Sequence, residues 1–581
     1  MALAFSLVVP TTLYTSTRLL SKISVKQVHS HTSRVSQEIQ CNSLCLKTCD
    51  EKIVRRSANY QPPIWDYDYV QSLSSKYVGD KYARRAAKLK EDVKIMLDEE
   101  VDPVDGLEMI DDLQRLGVFY HFEDEIKRVL ESIYNNKYDK WKEEDLHATA
   151  LKFRLLRQHG YDVPQEVFKN FMDETRNFKA CLSKDIRGML YLYEASYLSI
   201  RGESILEEAR DFATKNLKRN LKRKDLDPDL ALLVSHALEL PLHWRMPRLE
   251  ARWFIELCER RPNINATMLQ LAKLDYNMVQ AIHQEDLRHV SRKKTGLGKE
   301  LGFIRDRLME SFLWAIGMNF KPQFSNFRRN ITVVIALITA IDDVYDVYGT
   351  LDELEIFTNA IERWDLNAME QLPDYMKICF LALFNAINEM GYEILTAQDL
   401  YIIPHLQKSE AKWYYSGYTP TLEEYMDAAW ISSAIPVLLT HAFFSWGNPL
   451  TTEGSECSNK CPNIFRWSGT IIRLADDLGT SPDEMLRGDN PKSIQCYMHE
   501  TGASEKDARE HIKYLIEETW KKMNEDRFAD SPFSQAFVEV ALNVARVSQL
   551  MYQYGDGHAA QGCETKNRVL SLLVNPIPLE Y

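Results

Sequence analysis

Apolar residues along this chain recur at spacings of three and four, the period of a helix with one buried face, and alternating strand patterns between turn clusters are hard to find. Phe533, Phe537, Val540, Val544, Val547 and Met551 form one such stripe, which Gly555, Asp556 and Gly557 close with a helix stop. The segment from Ile331 to Ile341 is different, because it is apolar almost throughout. A helix with no polar face belongs inside the protein. This one runs straight into Asp342, Asp343 and Asp346, so its end delivers three carboxylates into or beside the core, where ionised groups are costly unless something positive meets them. The pattern predicts an all-α protein.

Scarce turn formers agree with that: the 581 residues include 22 Gly and 21 Pro, with 45% hydrophobic and 27% charged residues, enough for two sizeable cores. A first helical half is expected over 55–260, with turns at Gly160 to Pro164 and at Arg260 to Pro262, and a second over 261–581. No repeat of a length that would build a helical solenoid is present. The net charge of −13 argues against a nucleic-acid partner, and the basic run from Lys218 to Lys224 is short and lacks interleaved aromatics. No apolar run is expected to reach membrane-spanning length. Cys41, Cys45, Cys49, Cys457 and Cys461 lack the partners of a zinc pattern, and the ten cysteines fit a reduced compartment.

Residues 1–37 contain no Asp or Glu, carry Arg18, Lys22, Lys26 and Arg34, and are rich in Ser and Thr. That composition predicts an organellar transit peptide over 1–54, plastid rather than mitochondrial because hydroxyl residues outnumber arginines.

At about 100° per residue, positions i and i+4 of a helix share a face, so Asp342, Asp343 and Asp346 can address one opening. Hard oxygen ligands clustered this way suit Mg²⁺ or Mn²⁺. A second acidic pattern lies at Asp476, Thr480 and Glu484, spaced i, i+4, i+8 on one helical face. Asp477 points away and is expected to be structural, and Pro482 is expected to distort the helix. Arg305 and Arg307 lie upstream of the first motif, Arg473 precedes Asp476 by about one turn, and Lys492 follows Glu484. Acids that bind metals beside cations that bind anions imply a metal-bridged polyanion such as a diphosphate. Arg305 and Arg307 would diverge on a regular helix, so a helix start or loop is expected there. No phosphate-binding glycine loop, nucleophile elbow or dinucleotide-binding turn is present.

Arg55 and Arg56 followed by Trp65, the Arg305 and Arg307 pair, the Asp342 to Asp346 run, and Asp476, Thr480 and Glu484 together resemble the plant class I terpene synthases, specifically the angiosperm monoterpene branch. The resemblance covers essentially everything after residue 54. It implies a C-terminal class I helical bundle and an N-terminal vestigial α-barrel. It implies Asp342, Asp346, Asp476, Thr480 and Glu484 as ligands of three Mg²⁺ or Mn²⁺ ions, with Asp343 nearby support. Arg305, Arg473 and Lys492 would bind the diphosphate of geranyl diphosphate. Ionisation would leave a carbocation, which needs an apolar, aromatic cavity; Trp314 is the first choice for a cation-stabilising face, and Tyr497, Tyr552 and His558 are candidates to line the pocket or accept a proton. Arg55 and Arg56 resemble the segment that caps the site and is associated with isomerisation to a linalyl intermediate. The break at Ser432 to Pro436 resembles a product-shaping region.

The first half lacks the Asp-x-Asp-Asp string of protonation-initiated cyclases, since neither Asp225 to Asp229 nor Ile110 to Asp112 matches it. It is expected to be catalytically silent. The expected product is an acyclic or cyclic C10 terpene, made in the plastid stroma by a monomer or weak homodimer. The alternatives are a sesquiterpene synthase using farnesyl diphosphate and a non-catalytic all-α binding protein. A chain-elongating prenyltransferase would carry a second aspartate-rich run where this chain has Asp476, Thr480 and Glu484.

Overall fold

The computed structural model describes residues 55–100, 102–135, 145–260, 264–293, 297–398, 420–445, 462–487, 491–528, 533–559 and 562–579. The expected transit segment, the turn at Pro262 and the cysteines at 41, 45, 49, 457 and 461 lie outside them. Among the described residues there are helices and no strand longer than one bridge, Met172 with Phe178. The all-α expectation holds.

The first half is built from α1 (Tyr67–Ser72), α2 (Asp80–Glu99), α3 (Pro103–Arg115), α4 (Glu123–Asn135), α5 (Leu146–Gln158), α6 (Ile186–Ser196), α7 (Ser204–Asn220), α8 (Pro228–Glu239) and α9 (Pro247–Cys258). Local chemistry sets their starts. Asp66, Asp102, Asp145, Asp185 and Asp227 each precede a helix and accept a backbone N–H of its first turn. The acids that failed to form a cyclase motif are thereby explained: Asp227 caps α8, Asp225 pairs with exposed Arg223 at 2.7 Å, and Asp111 is buried against Arg154 at 2.5 Å.

The second half runs through α10 (Ala266–Lys293), α11 (Leu297–Glu300), α12 (Leu308–Met318), α13 (Ser325–Asp343), α14 (Leu351–Arg363), α15 (Asp374–Gln398), α16 (Leu422–Ser432) and α17 (Ile435–Phe444). It closes with α18 (Asn463–Arg487), α19 (Ser493–Thr501), α20 (Glu505–Phe528), α21 (Gln535–Tyr552) and α22 (Cys563–Val569). The stripe from Phe537 to Met551 is buried on α21, whereas Phe533 lies just before the helix. Gly555 follows with φ 113°. The helix continues through Pro482 to Arg487, so the proline does not end it.

One apolar core runs through both halves, from Val70 to Ile577, and a smaller one, including Leu337, Val344, Phe357 and Phe380, packs behind the first aspartate motif. Polar contacts cross between the halves. Asn524 donates to the carbonyls of Tyr197 and Ser199 at 3.0 and 2.9 Å, and Trp244 stacks on Trp520 at 5.6 Å. The start of α13 is fixed by Arg328, fully buried, whose guanidinium meets buried Asp286 of α10 at 2.7 and 3.0 Å.

One apolar stretch bears on the expected absence of a membrane span. The stretch Leu422–Phe444 is long and apolar enough to cross a membrane by length and composition. Most of it is buried inside the protein, and it is two helices: Ala434 adopts φ 60°, a left-handed conformation that ends α16 and lets Pro436 open α17. The break lies where the sequence places it. There Ser433 donates to the Trp430 carbonyl at 2.6 Å, and the same carbonyl comes so close to Gly469 of α18 that a Cβ would stand 2.7 Å away.

Candidate active site

Helix α13 is buried along Ile331, Thr332, Val334, Ile335, Leu337, Thr339, Ala340 and Ile341, then opens into a π-helical turn over Val344–Tyr348. Such wide turns recur at functional sites. Asp342 is one-third exposed at this end, whereas Asp343 is fully buried. Asp346 sits in the wide turn, and burial, with Asp342 close by, pushes its carboxyl above the ordinary range.

Arg305 supplies the positive partner. Its Nη2 donates to Asp342 at 2.6 Å, its Nε lies 2.8 Å from Asp343, and its backbone N–H donates to Asp343 at 2.6 Å. Asp343 therefore positions Arg305 as much as Arg305 neutralises Asp343. Burial still pushes the Asp343 carboxyl up to about 6, with Asp342 adding and Arg305 opposing. Arg305 and Arg307 lie in the turn before α12, as their divergence on a helix required.

The second motif is laid out on α18 in the same way. Arg473 pairs with Asp476 and, through Nε at 2.7 Å, with Asp477. Asp477 is fully buried and also accepts from the Tyr425 hydroxyl at 3.0 Å and the Ser493 backbone at 3.1 Å. It is a structural anchor, as expected. Asp476 keeps partial exposure, 19% of its side chain. Thr480 donates its one hydroxyl proton to the Asp476 carbonyl at 2.9 Å, which leaves its lone pairs for a cation. Glu484 continues this face on the helical backbone two turns on; its side chain lies outside the described residues.

The two motifs share one field. Lys492, next to Ser493 and hence to Asp477, acts on Asp342 and Asp346. Tyr552, at the end of α21, is pushed up by burial and feels Asp556, Arg473, Arg305 and Asp342 together. Trp314, buried on α12, meets Tyr552 edge to face at 6.3 Å. His558 is buried beside α13, its Nε2 3.0 Å from Thr339 Oγ1. Tyr497 stacks on His511 at 4.1 Å, and among the described residues no ring contact draws it into this group.

The N-terminal segment covers the arrangement. Arg55 forms a two-pronged bond to Glu353 at 2.8 and 2.9 Å, donates to the Tyr348 carbonyl at 3.1 Å, and lies over the rings of Tyr348 and Tyr375. Five residues on, Tyr60 places its ring against Arg305 at 5.1 Å. Arg307 does something the sequence did not announce. It donates to the carbonyl of Gln61 in the segment and to that of Ala559 in the loop after α21, at 2.9 and 3.1 Å. It is a tie between two coverings, not a group aimed at an anion. No spacing signal could have shown this, because both acceptors are backbone atoms about 250 residues away.

Among the described residues no three carboxylate, histidine or cysteine groups stand together as a single-ion site. The donor set nevertheless fits hard divalent cations: the partly exposed carboxylates of Asp342 and Asp476 carry guanidinium partners, positive charge where a cation would sit. The first half holds a cavity of about 20 Å³, room for roughly one water. It is lined by Arg154, Asp111, Arg115, Glu194, His236 and Glu250 among others, and by no residue of either acidic motif.

Comparison with known proteins extends this picture. Residues 293–522 match the model described as the terpene synthase family, metal binding domain, and residues 64–238 the terpene synthase, N-terminal domain. The (-)-alpha-terpineol synthase of Vitis vinifera is 60% identical, over 91% of this chain and 92% of its own. The chloroplastic myrcene synthase of Quercus ilex is 57% identical over 94% of each. The crystal structure of limonene synthase with 2-fluorolinalyl diphosphate superposes with a TM-score of 0.88 at 45% identity, covering 90% of this chain and 100% of that one. Isoprene synthase from grey poplar leaves (Populus x canescens), in complex with three Mg²⁺ ions and dimethylallyl-S-thiolodiphosphate, gives 0.82 at 45% identity, covering 88% and 99%.

Proposed function

The chain belongs to the terpene synthase family and is a metal-dependent lyase working as a monoterpene synthase; from that premise we propose that its substrate is geranyl diphosphate and its product an acyclic or cyclic C10 terpene. One observation supports the site assignment: two acidic helix faces each carry a guanidinium on their carboxylates, and both guanidiniums, Arg305 and Arg473, act on the same buried tyrosine, Tyr552. Asp342, Asp346, Asp476, Thr480 and Glu484 would hold three Mg²⁺ or Mn²⁺ ions. Bound there, such ions supply Lewis-acid neutralisation of the leaving diphosphate.

The chain's own residues do the rest. Arg305, Arg473 and Lys492 receive the diphosphate oxygens, exchanging their carboxylate partners for the substrate's charge. The covering segment held by Arg55 and Arg307 keeps water from the cation. Trp314 and Tyr552 present ring faces where positive charge develops, in a site too dry to solvate it otherwise. The solved complex of limonene synthase with a linalyl diphosphate analogue supports isomerisation before ring closure. Residues 261–581 would form the catalytic unit and 55–260 a silent one. The chloroplastic relatives support a plastid location, and the acid-free segment 1–37 supports delivery to the stroma.

Asp342→Ala and Glu484→Ala test the ligand assignment. Each should abolish turnover of geranyl diphosphate and weaken its dependence on Mg²⁺ or Mn²⁺, and retained activity in either would remove that residue from the site.

A further inference from the structure

Thr339 lies three residues before Asp342 and four before Asp343, on the face of α13 that looks toward the loop after α21. Its Oγ1 is 2.9 Å from the Ile335 carbonyl and 3.0 Å from His558 Nε2. A hydroxyl has one proton and two lone pairs. If that proton went to the imidazole, the hydroxyl and carbonyl oxygens would face each other at 2.9 Å with nothing between them. Donation to the carbonyl removes the conflict, as threonine does in helices. Oγ1 then accepts, and Nε2 must carry the ring proton.

The other ring nitrogen is the informative one. Nδ1 is buried and has no hydrogen-bond partner among the described residues. A buried polar atom left bare calls for an explanation, and a catalytic role is one of the few available. The loop is built to hold the ring in place. Asp556 accepts from the backbone N–H groups of His558 and Ala559 at 3.0 and 2.8 Å, and a Cβ at Gly557 would stand 2.2 Å from the Met551 carbonyl. Burial, with Arg305 and Arg307 nearby, holds the imidazole's pKa down at about 4 against the opposing charges of Asp556 and Asp342, so the ring rests in its neutral form.

We propose that Thr339 is a positioning residue that fixes His558 as the Nε2–H tautomer and so leaves Nδ1 as the base that takes the proton ending the cation cascade. This rests on the monoterpene synthase activity proposed above. In that step a C–H bond adjacent to the cationic carbon breaks, its electron pair becomes the product's double bond, and the proton passes to Nδ1. The imidazolium formed still donates from Nε2 to Thr339, and returns its proton to water when the site opens. A carbocation is a far stronger acid than an imidazolium, so a weak base suffices.

The test pairs Thr339→Val, which keeps shape but removes the acceptor, with Thr339→Ser, which restores it. With Mg²⁺ and geranyl diphosphate, the valine variant should lose about tenfold in kcat with KM little changed. Its products should shift from hydrocarbons formed by proton loss toward alcohols formed by water capture. Serine should restore both. In Thr339→Val combined with His558→Phe, the valine change should add nothing to the effect of phenylalanine alone. A wild-type product mixture from Thr339→Val, or a wild type whose products all arise by water capture, would overturn the proposal. Nitrogen NMR of wild type labelled with ¹⁵N-histidine reads the tautomer directly and does not depend on any variant folding or on turnover. Nδ1 should report as the unprotonated nitrogen, and a protonated Nδ1 would overturn the proposal. Absence of any product from geranyl diphosphate would instead strike the activity, leaving the tautomer to be judged by the NMR alone.

Discussion

At the scale of single residues, neighbours in one aspartate run have opposite duties. Asp342 is partly exposed with a guanidinium on it, whereas Asp343 is sealed in and holds the Arg305 backbone. Asp342→Asn should therefore cut kcat by about 100-fold or more, the scale of losing one preorganised electrostatic group, with a melting temperature close to wild type. Asp477→Asn should do the reverse first. It weakens a buried acceptor shared by Arg473, Tyr425 and Ser493, and breaking such a buried pair costs on the order of 3 kcal/mol; thermal melting should show it before any assay does. The acids were legible in the sequence because helix periodicity puts i and i+4 on one face whatever the fold. The duty of Asp343 was only partly legible, since its partner lies 38 residues upstream. That of Arg307 was not legible at all, because its acceptors are carbonyls with no side-chain signature.

At the scale of elements, the covering segment is docked on the bundle by Arg55 and tied to it by Arg307. Arg55 docks it on the first turn of α14, where Glu353 also closes a capping box with Thr350. The Glu353 carboxyl is held down at about 2, chiefly by its bond to Arg55. Its contribution is present above the ordinary carboxylate range and disappears only as pH falls toward 2, so docking should be constant across working pH. Arg55→Ala should leave the melting temperature nearly unchanged. It should speed proteolytic cleavage within residues 55–65 and lower the share of cyclic products, read by gas chromatography; unchanged cleavage and product ratios would contradict the docking role. The helix break at Ala434 was visible beforehand as a proline after two serines. The π turn at Val344–Tyr348 was not, because a one-residue widening leaves no mark on a run of apolar and acidic residues.

At the scale of the whole molecule, the two halves share one core but not one chemistry. The first half's charges are largely answered internally, Arg154 by Asp111 and Arg115 by Glu250 at 2.9 Å, while the Glu194 carboxylate accepts the Leu242 backbone N–H at 2.8 Å. Burial pushes the Glu194 carboxyl up from 4.5 to about 7. A raised carboxyl favours the fold while protonated, and that advantage is lost as pH rises through about 7. Glu194→Gln should thus melt like wild type near pH 5 and above it at pH 8.5, a difference on the order of 3 kcal/mol at most, with kcat unaffected if this half is silent. Helical composition made the class of fold readable in advance, and the two acidic motifs marked the helix faces on which Arg305 and Arg473 meet their carboxylates. The way both halves bury residues in one core was not, since it depends on contacts such as Asn524 with Tyr197 across 327 positions. The central claim is that the two acidic faces and their arginines form one pocket that ionises a ten-carbon allylic diphosphate. The most direct measurement is product analysis by gas chromatography after incubating the protein with Mg²⁺ and equimolar geranyl and farnesyl diphosphate, separately and in competition. C10 products should dominate in both settings, and a clear preference for C15 products, or no terpene from either, would contradict the account.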